Sequence, residues 1–185
     1  MKKTSVRNYL IEEGLQLKSG EILISPNIAY ETWGNLNKDF SNAVLVTTGL
    51  SPSSHIASNE LNIEQGWWES IIGPNKAIDT NRFFVICANS LGSCFGSTGP
   101  SSKNPQTNQP YQLLFPRLSI EDIASSLISL IKHLGINQLQ TIVGPSMGGM
   151  TALSIVQQAP EITKEMILIS TSASSRPSAS TPSSS

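Results

Sequence analysis

Short apolar runs alternate along this chain with amphipathic stretches of helical period. Ala43-Val44-Leu45-Val46-Thr47 is an unbroken, largely β-branched run, the pattern of a strand buried on both faces. Phe83-Phe84-Val85-Ile86-Cys87, Thr141-Ile142-Val143 and Met166-Ile167-Leu168-Ile169 read as further strands, and residues 21–25 and 27–33 as a hairpin pair separated near Pro26. Ile120, Ile123, Ala124, Leu127, Ile131 and Leu134 recur at helical spacing. Ser119 stands before them as N-cap, Asp122 occupies the capping-box position and Gly135 closes the helix. A second helix is predicted over residues 147–159, stopped by Pro160. Alternation of strand and helix predicts an α/β fold with a mostly parallel sheet and helices on both faces.

Two segments break this rhythm. Residues 89–118 are rich in Gly, Ser, Asn, Pro and Thr, and a loop of that length in a compact domain is functional or disordered. Residues 170–185 hold nine serines with Thr171, Thr181, Pro177 and Pro182, a composition that cannot bury a core. The chain therefore divides into a core over 1–170 and a disordered tail over 171–185. Because the tail begins where a strand has just ended, it is expected to mark a C-terminal truncation or frameshift.

Composition narrows the function classes. The 185 residues carry a net charge of −1, with basic residues scattered, so nothing favours nucleic acid or an anionic membrane as partner. Residues 4–15 are interrupted by Arg7, Asn8, Glu12 and Glu13 and form no signal-peptide core, and no apolar stretch is long enough to span a bilayer. Cys87 and Cys94 lack metal-ligand spacing and read as free thiols of a cytoplasmic protein. No metal or bound cofactor is expected, and small-molecule chemistry is the starting point.

The candidate chemistry lies at Gly144-Pro145-Ser146-Met147-Gly148, a G-x-S-x-G sequence between a predicted strand and a predicted helix. In that context Ser146 reads as a nucleophile on a sharp turn, with small residues at 144, 148 and 149 to permit it. Outside that context the same letters would be only a Gly-rich turn. An oxyanion would be met by the N–H of Met147 and by a second amide from the loop after residues 43–47, for which Leu50 is the candidate. A general base is harder to find. The chain's two histidines, His55 and His133, both precede Ser146.

The order of several further motifs is more specific. Tyr30-Glu31-Thr32-Trp33-Gly34, Gly66-Trp67-Trp68-Glu69, Ile72-Gly73-Pro74-Asn75-Lys76, Asn89-Ser90-Leu91-Gly92-Ser93-Cys94-Phe95-Gly96 and Gly144-Pro145-Ser146-Met147-Gly148-Gly149-Met150 occur in that sequence. Together they resemble the homoserine and serine O-acyltransferases of the α/β-hydrolase superfamily. The resemblance implies acyl transfer from succinyl-CoA or acetyl-CoA to the hydroxyl of L-serine or L-homoserine, through an acyl-Ser146 intermediate and with ping-pong kinetics. It implies a homodimer for the full-length protein, and a triad Asp and His beyond the residues present, leaving this chain catalytically inert. Ser93, and the loop residues Ser51, Pro52, Ser53 and Ser54, are similar to the serine O-succinyltransferase branch and are the specificity candidates. Pro145 departs from the family, which more often has Asn or Gly there. The alternatives are a homoserine O-acetyltransferase, an esterase or thioesterase on the same fold with water as acceptor, and a non-catalytic fragment.

Overall fold

The structure, a computed structural model, describes residues 5–172; the tail expected over 171–185 lies outside them apart from Thr171 and Ser172. The elements run β1 (Arg7–Leu10), β2 (Leu15–Gln16), β3 (Ile22–Leu23), β4 (Asn27–Trp33), β5 (Ala43–Thr47), β6 (Ile72–Gly73), β7 (Ile78–Asp79), β8 (Phe84–Ala88), α1 (Ile120–His133), β9 (Leu139–Pro145), α2 (Met147–Gln158) and β10 (Thr163–Ile169). Six strands form the main sheet in the order β1-β4-β8-β5-β9-β10. β8, β5, β9 and β10 run parallel to one another, and β4 and β1 join antiparallel beyond β8. The expected α/β architecture with a mostly parallel sheet is what the chain forms.

β5 and β8 are buried along their whole length, which is why they read as unbroken apolar runs. Alternate side chains serve two cores. Leu45, Ile86 and Ile142 face α1 and α2, meeting Ile123, Leu127, Ile131 and Ile155. Val44, Val46, Val85, Cys87 and Val143 face the other way, onto Trp33, Ile56, Ile72, Trp67 and Trp68. Both described helices therefore pack on one face. Of the helices expected on both faces, the two among the described residues lie on one, and a loop layer from residues 56–83 covers the second. It does so with aromatic bulk and side-chain hydrogen bonds, Trp33 Nε1–H donating to the Ala57 carbonyl (3.1 Å) and Trp67 Nε1–H to that of Ser53 (2.8 Å).

The start of α1 follows its sequence signals. Ser119 caps the helix at the Asp122 N–H (3.2 Å), and Asp122 Oδ2 accepts from the Ser119 N–H (2.7 Å), completing the capping box. The other Asp122 oxygen takes the N–H of Lys18 (2.7 Å), tying the N-terminal segment to the helix. Gly135 sits at φ +74 just past the helix, in the left-handed region that a side chain would strain.

The N-terminal strands differ from the sequence reading. Residues 21–25 do not pair with β4. Ser25 adopts φ +42, and the Ile11 N–H donates to the Pro26 carbonyl (3.0 Å), so the chain turns away at that point. β3 pairs instead with β2, while β4 takes β1 as its partner. β1 alternates too weakly to be predicted, being an edge strand with one partly buried position. Cys87 is buried and Cys94 exposed, both as free thiols. Among the described residues no group of three or more metal-capable side chains gathers, and no helix is long and apolar enough to cross a membrane.

The loop layer hangs on one carboxylate. Glu69 accepts from the Ser58 N–H (2.6 Å), the Ser58 hydroxyl (3.0 Å), the Gly66 N–H (3.2 Å) and the Lys76 ammonium (3.2 Å). The Ser58 N–H above all, opposed by partial burial and helped by Gly66 and Lys76, holds its pKa down to about 2, against 4.5 for an ordinary Glu. The folded chain thus keeps the carboxylate ionised down to about 2, while the unfolded chain protonates near 4.5. The stability it lends is present above the unfolded value and is lost as pH falls through the folded one. A Glu69→Gln chain is expected to show a lower urea midpoint than the parent at neutral pH, with the gap closing as pH falls from about 4.5 toward about 2.

Candidate active site

β9 ends at Pro145 and α2 begins at Met147, leaving Ser146 alone at the corner with φ +54 and ψ −126. A serine in this region carries roughly 1–3 kcal/mol of backbone strain, and it persists only where the surroundings over-determine it. Here they do. The Ser146 N–H donates to the Ile169 carbonyl (2.9 Å), and the Ser146 carbonyl accepts from the Gly149 N–H (3.0 Å). The Ser146 side chain makes no capping bond and is exposed at the positive end of α2.

The glycines around it are dictated by close backbone approach. A Cβ on Gly144 would lie 2.7 Å from the Gly149 Cα, and one on Gly148 would lie 2.7 Å from the Thr47 carbonyl oxygen. A Cβ on Gly149 would strike the Thr171 side chain. The Thr47 hydroxyl reinforces the contact by donating to the Gly148 carbonyl (2.8 Å) at the last residue of β5. Thr47 was invisible as a site residue in sequence, because a strand-end threonine carries no motif.

The loop after β5 is pinned at its two ends. The Thr48 and Ser90 hydroxyls share a hydrogen bond (3.0 Å). At the far end the Ser54 N–H donates to Asn89 Oδ1, while Asn89 Nδ2–H reaches the Phe95 carbonyl (2.6 Å). Asn89 therefore joins the loop after β5 to the long loop after β8. That long loop is ordered: the Ala29 N–H donates to the Ser97 hydroxyl (3.0 Å), the Asn27 N–H to Thr98 Oγ1 (2.8 Å), and the Ser97 hydroxyl to the Asn89 carbonyl (2.7 Å). The Gly/Ser/Asn composition supplied short polar side chains for these bonds.

The structure brings some of the sequence candidates together and not others. Leu50, Ser93 and Met147 line one cleft of about 330 Å³ with Ser90, Phe115 and Leu118. Ser146 opens on an adjoining cavity of about 390 Å³ with Met150, Ser170 and Thr171, and Met147 lines both. Leu50 is 84% exposed on the loop after β5. Ser51, Pro52, Ser53 and Ser54 line neither cavity. Ser53 instead receives the Trp67 indole and Ser54 is buried, so both are bound into the loop's own framework. Neither histidine lines the Ser146 cavity. His133 stacks on Tyr9 (4.2 Å), and His55 is held by Glu31 and the Glu64 carbonyl.

Comparison with known proteins places this geometry. Residues 42–183 match the model of the α/β hydrolase fold family. The chain is 51% identical over 174 residues to the serine O-succinyltransferase of Xanthomonas campestris pv. campestris (strain B100), covering 94% of this chain and 46% of that protein. Among solved structures, homoserine O-acetyltransferase from Bacillus anthracis is similar with a TM-score of 0.82 and 36% identity, over 90% of this chain and 46% of the other. Esterase E22 is similar with a TM-score of 0.80 and 36% identity, over 88% and 46%. The chain spans under half the length of the curated relatives it matches.

The close approach at the corner has a measurable consequence. Gly148→Ala is expected to destabilise the chain by about 1–3 kcal/mol, because the clash is with backbone that cannot rotate away. Thr47→Val, which removes only the hydroxyl bond, should cost about 1 kcal/mol. Urea midpoints of the two variants against the parent give both values.

Proposed function

This chain belongs to the α/β hydrolase fold family, and from that premise we propose that it carries the nucleophile and oxyanion site of an acyl-CoA-dependent O-acyltransferase acting on the hydroxyl of L-serine, with L-homoserine as the second acceptor. The observation that carries the reading is Ser146, held at φ +54 on an exposed strand-to-helix corner. Its hydroxyl attacks the thioester carbonyl of succinyl-CoA. The negative charge that forms on the carbonyl oxygen rests on the Met147 and Leu50 amides, which belong to one cleft. CoA leaves as the thiol, and the amino-acid hydroxyl then attacks the acyl-Ser146 ester to give the O-acylated product and free enzyme. Succinyl is preferred to acetyl because the 51% identity is to a serine O-succinyltransferase, whereas the acetyl-transferring neighbour stands at 36%. Ser93, on the wall of the Leu50–Met147 cleft, is the specificity residue on the acyl side.

Both histidines of this sequence have partners away from Ser146, so the base and its orienting acid follow the nucleophile in the complete protein, as the order of the triad in this fold requires. The protein works in the cytoplasm, where acyl-CoA is available, without metal or bound cofactor, as a homodimer, in the biosynthesis of cysteine or methionine. Esterase chemistry is the second reading, favoured by the equal 36% identity to esterase E22.

A chimera joining residues 1–172 to the remaining part of the Xanthomonas campestris relative tests this. Succinyl-CoA and L-serine are expected to give O-succinylserine with ping-pong kinetics, and Ser146→Ala should cut turnover by at least about 10³-fold. The 185-residue chain alone should release no CoA above background. Succinate and CoA without O-succinylserine would establish water as acceptor and the esterase reading in its place.

A further inference from the structure

β4 carries a carboxylate where its neighbours are apolar. Glu31 is 1% exposed, opposite Cys87 in the β4–β8 register, between Tyr30 and the Trp33 core. Every side chain that reaches it is a donor: the Ser54 hydroxyl (3.5 Å) to Oε1, and Asn59 Nδ2–H (3.3 Å) and His55 Nδ1 (3.2 Å) to Oε2. The other ring nitrogen of His55 lies 2.9 Å from the Glu64 carbonyl oxygen, which can only accept. A neutral imidazole has one N–H and cannot donate at both ends. The two contacts are satisfied together only when both nitrogens carry protons.

His55 closes the loop that begins at Thr48, and its own carbonyl accepts the Trp67 N–H (3.4 Å). We propose that His55 is a positioning residue: as an imidazolium bridging the Glu31 carboxylate and the Glu64 carbonyl, it latches the loop that carries the Leu50 amide onto β4, and the latch loosens when the ring gives its Nδ1 or Nε2 proton to water. The importance of the latch for catalysis rests on the oxyanion role proposed for Leu50; the latch itself does not. The charged and titratable groups around the ring are Glu31 on β4, Glu64 on the covering segment, and the Cys87 thiol on β8 beside Glu31. Glu69 on the same covering segment is engaged by Ser58, Gly66 and Lys76. Burial pulls the His55 pKa down, but the Glu64 carbonyl, the Glu31 carboxylate and the negative charge of both glutamates outweigh it, leaving the value above the ordinary 6.5. With the folded value raised, the latch is at full strength below 6.5 and is lost as pH rises through the folded value.

The 185-residue chain has only two histidines, so nitrogen–proton correlation NMR of the imidazoles, with His133→Gln for assignment, reads His55 directly. The midpoint of the titration is expected above 6.5, with both ring nitrogens protonated on its acid side. Protection factors of the Ser54 and Trp67 amides should fall about tenfold through that same midpoint, the scale of one lost charge-assisted hydrogen bond. Glu31→Gln, which keeps an acceptor but removes the charge, should lower the midpoint; should that variant fail to fold, the parent titration alone decides. A titration midpoint at or below 6.5, or protection factors that stay constant through the titration, would overturn the latch. Neither measurement uses acyl-CoA, and a Ser146→Ala chain should titrate identically, so a failure of the acyl-transfer reading leaves a distinct signature.

Discussion

The site depends on how closely the first turn of α2 lies against the ends of β5 and β9. At that corner backbone meets backbone without room for a Cβ: Gly148 against the Thr47 carbonyl, Gly144 against Gly149. The same contact turns the chain through Ser146 so sharply that its φ becomes positive, and the hydroxyl is left exposed beside the helix N-terminus. Strain at one residue is maintained by packing at its neighbours. The Thr47 hydroxyl bond to Gly148 and the Ser146 N–H bond to Ile169 fix the corner from both flanking strands.

A second set of constraints holds the loops that complete the cleft. Leu50 lies on a loop whose ends are fastened, by Thr48 to Ser90 and by Ser54 to Asn89. Asn89 stands at the end of β8, and through it the loops after β5 and β8 share one anchor. This divides the labour between rigid strand ends and short polar side chains. A thirty-residue stretch poor in apolar residues is ordered because Ser97 and Thr98 bond β4 and its later backbone bonds itself, as Tyr111 N–H to the Ser102 carbonyl and Gln112 N–H to that of Pro100.

The two faces of the sheet are covered by different means, and the difference bears on where sensitivity to conditions arises. The helical face is apolar packing, with Leu45, Ile86 and Ile142 against α1 and α2. The opposite face is a loop layer whose cohesion includes charged groups, Glu69 with its ring of donors and Glu31 with His55. Apolar packing is indifferent to protons, whereas carboxylate and imidazole contacts are not. The loop layer therefore responds to pH through Glu69 and His55, on the side of the sheet that leads into the loop after β5.

The sequence by itself determined the elements whose cause is local. β5, the capping box of α1, its Gly135 stop and the strand–serine–helix corner were all legible, because propensity, capping and steric permission act within a few residues. It also put Ser146 and Met147 at that corner and Leu50 in the loop after β5. Tertiary structure alone decided the partners of β3 and β4, where Ser25 turns the chain and β1 fills the pairing that residues 21–25 were expected to take. It alone placed both helices on one face, put Ser93 in the cleft while leaving Ser51, Pro52, Ser53 and Ser54 out of it, and set Glu31 against His55 across 24 residues of chain. Pairing and side-chain contact between distant segments depend on which surfaces meet once the sheet has assembled, and no local pattern encodes that.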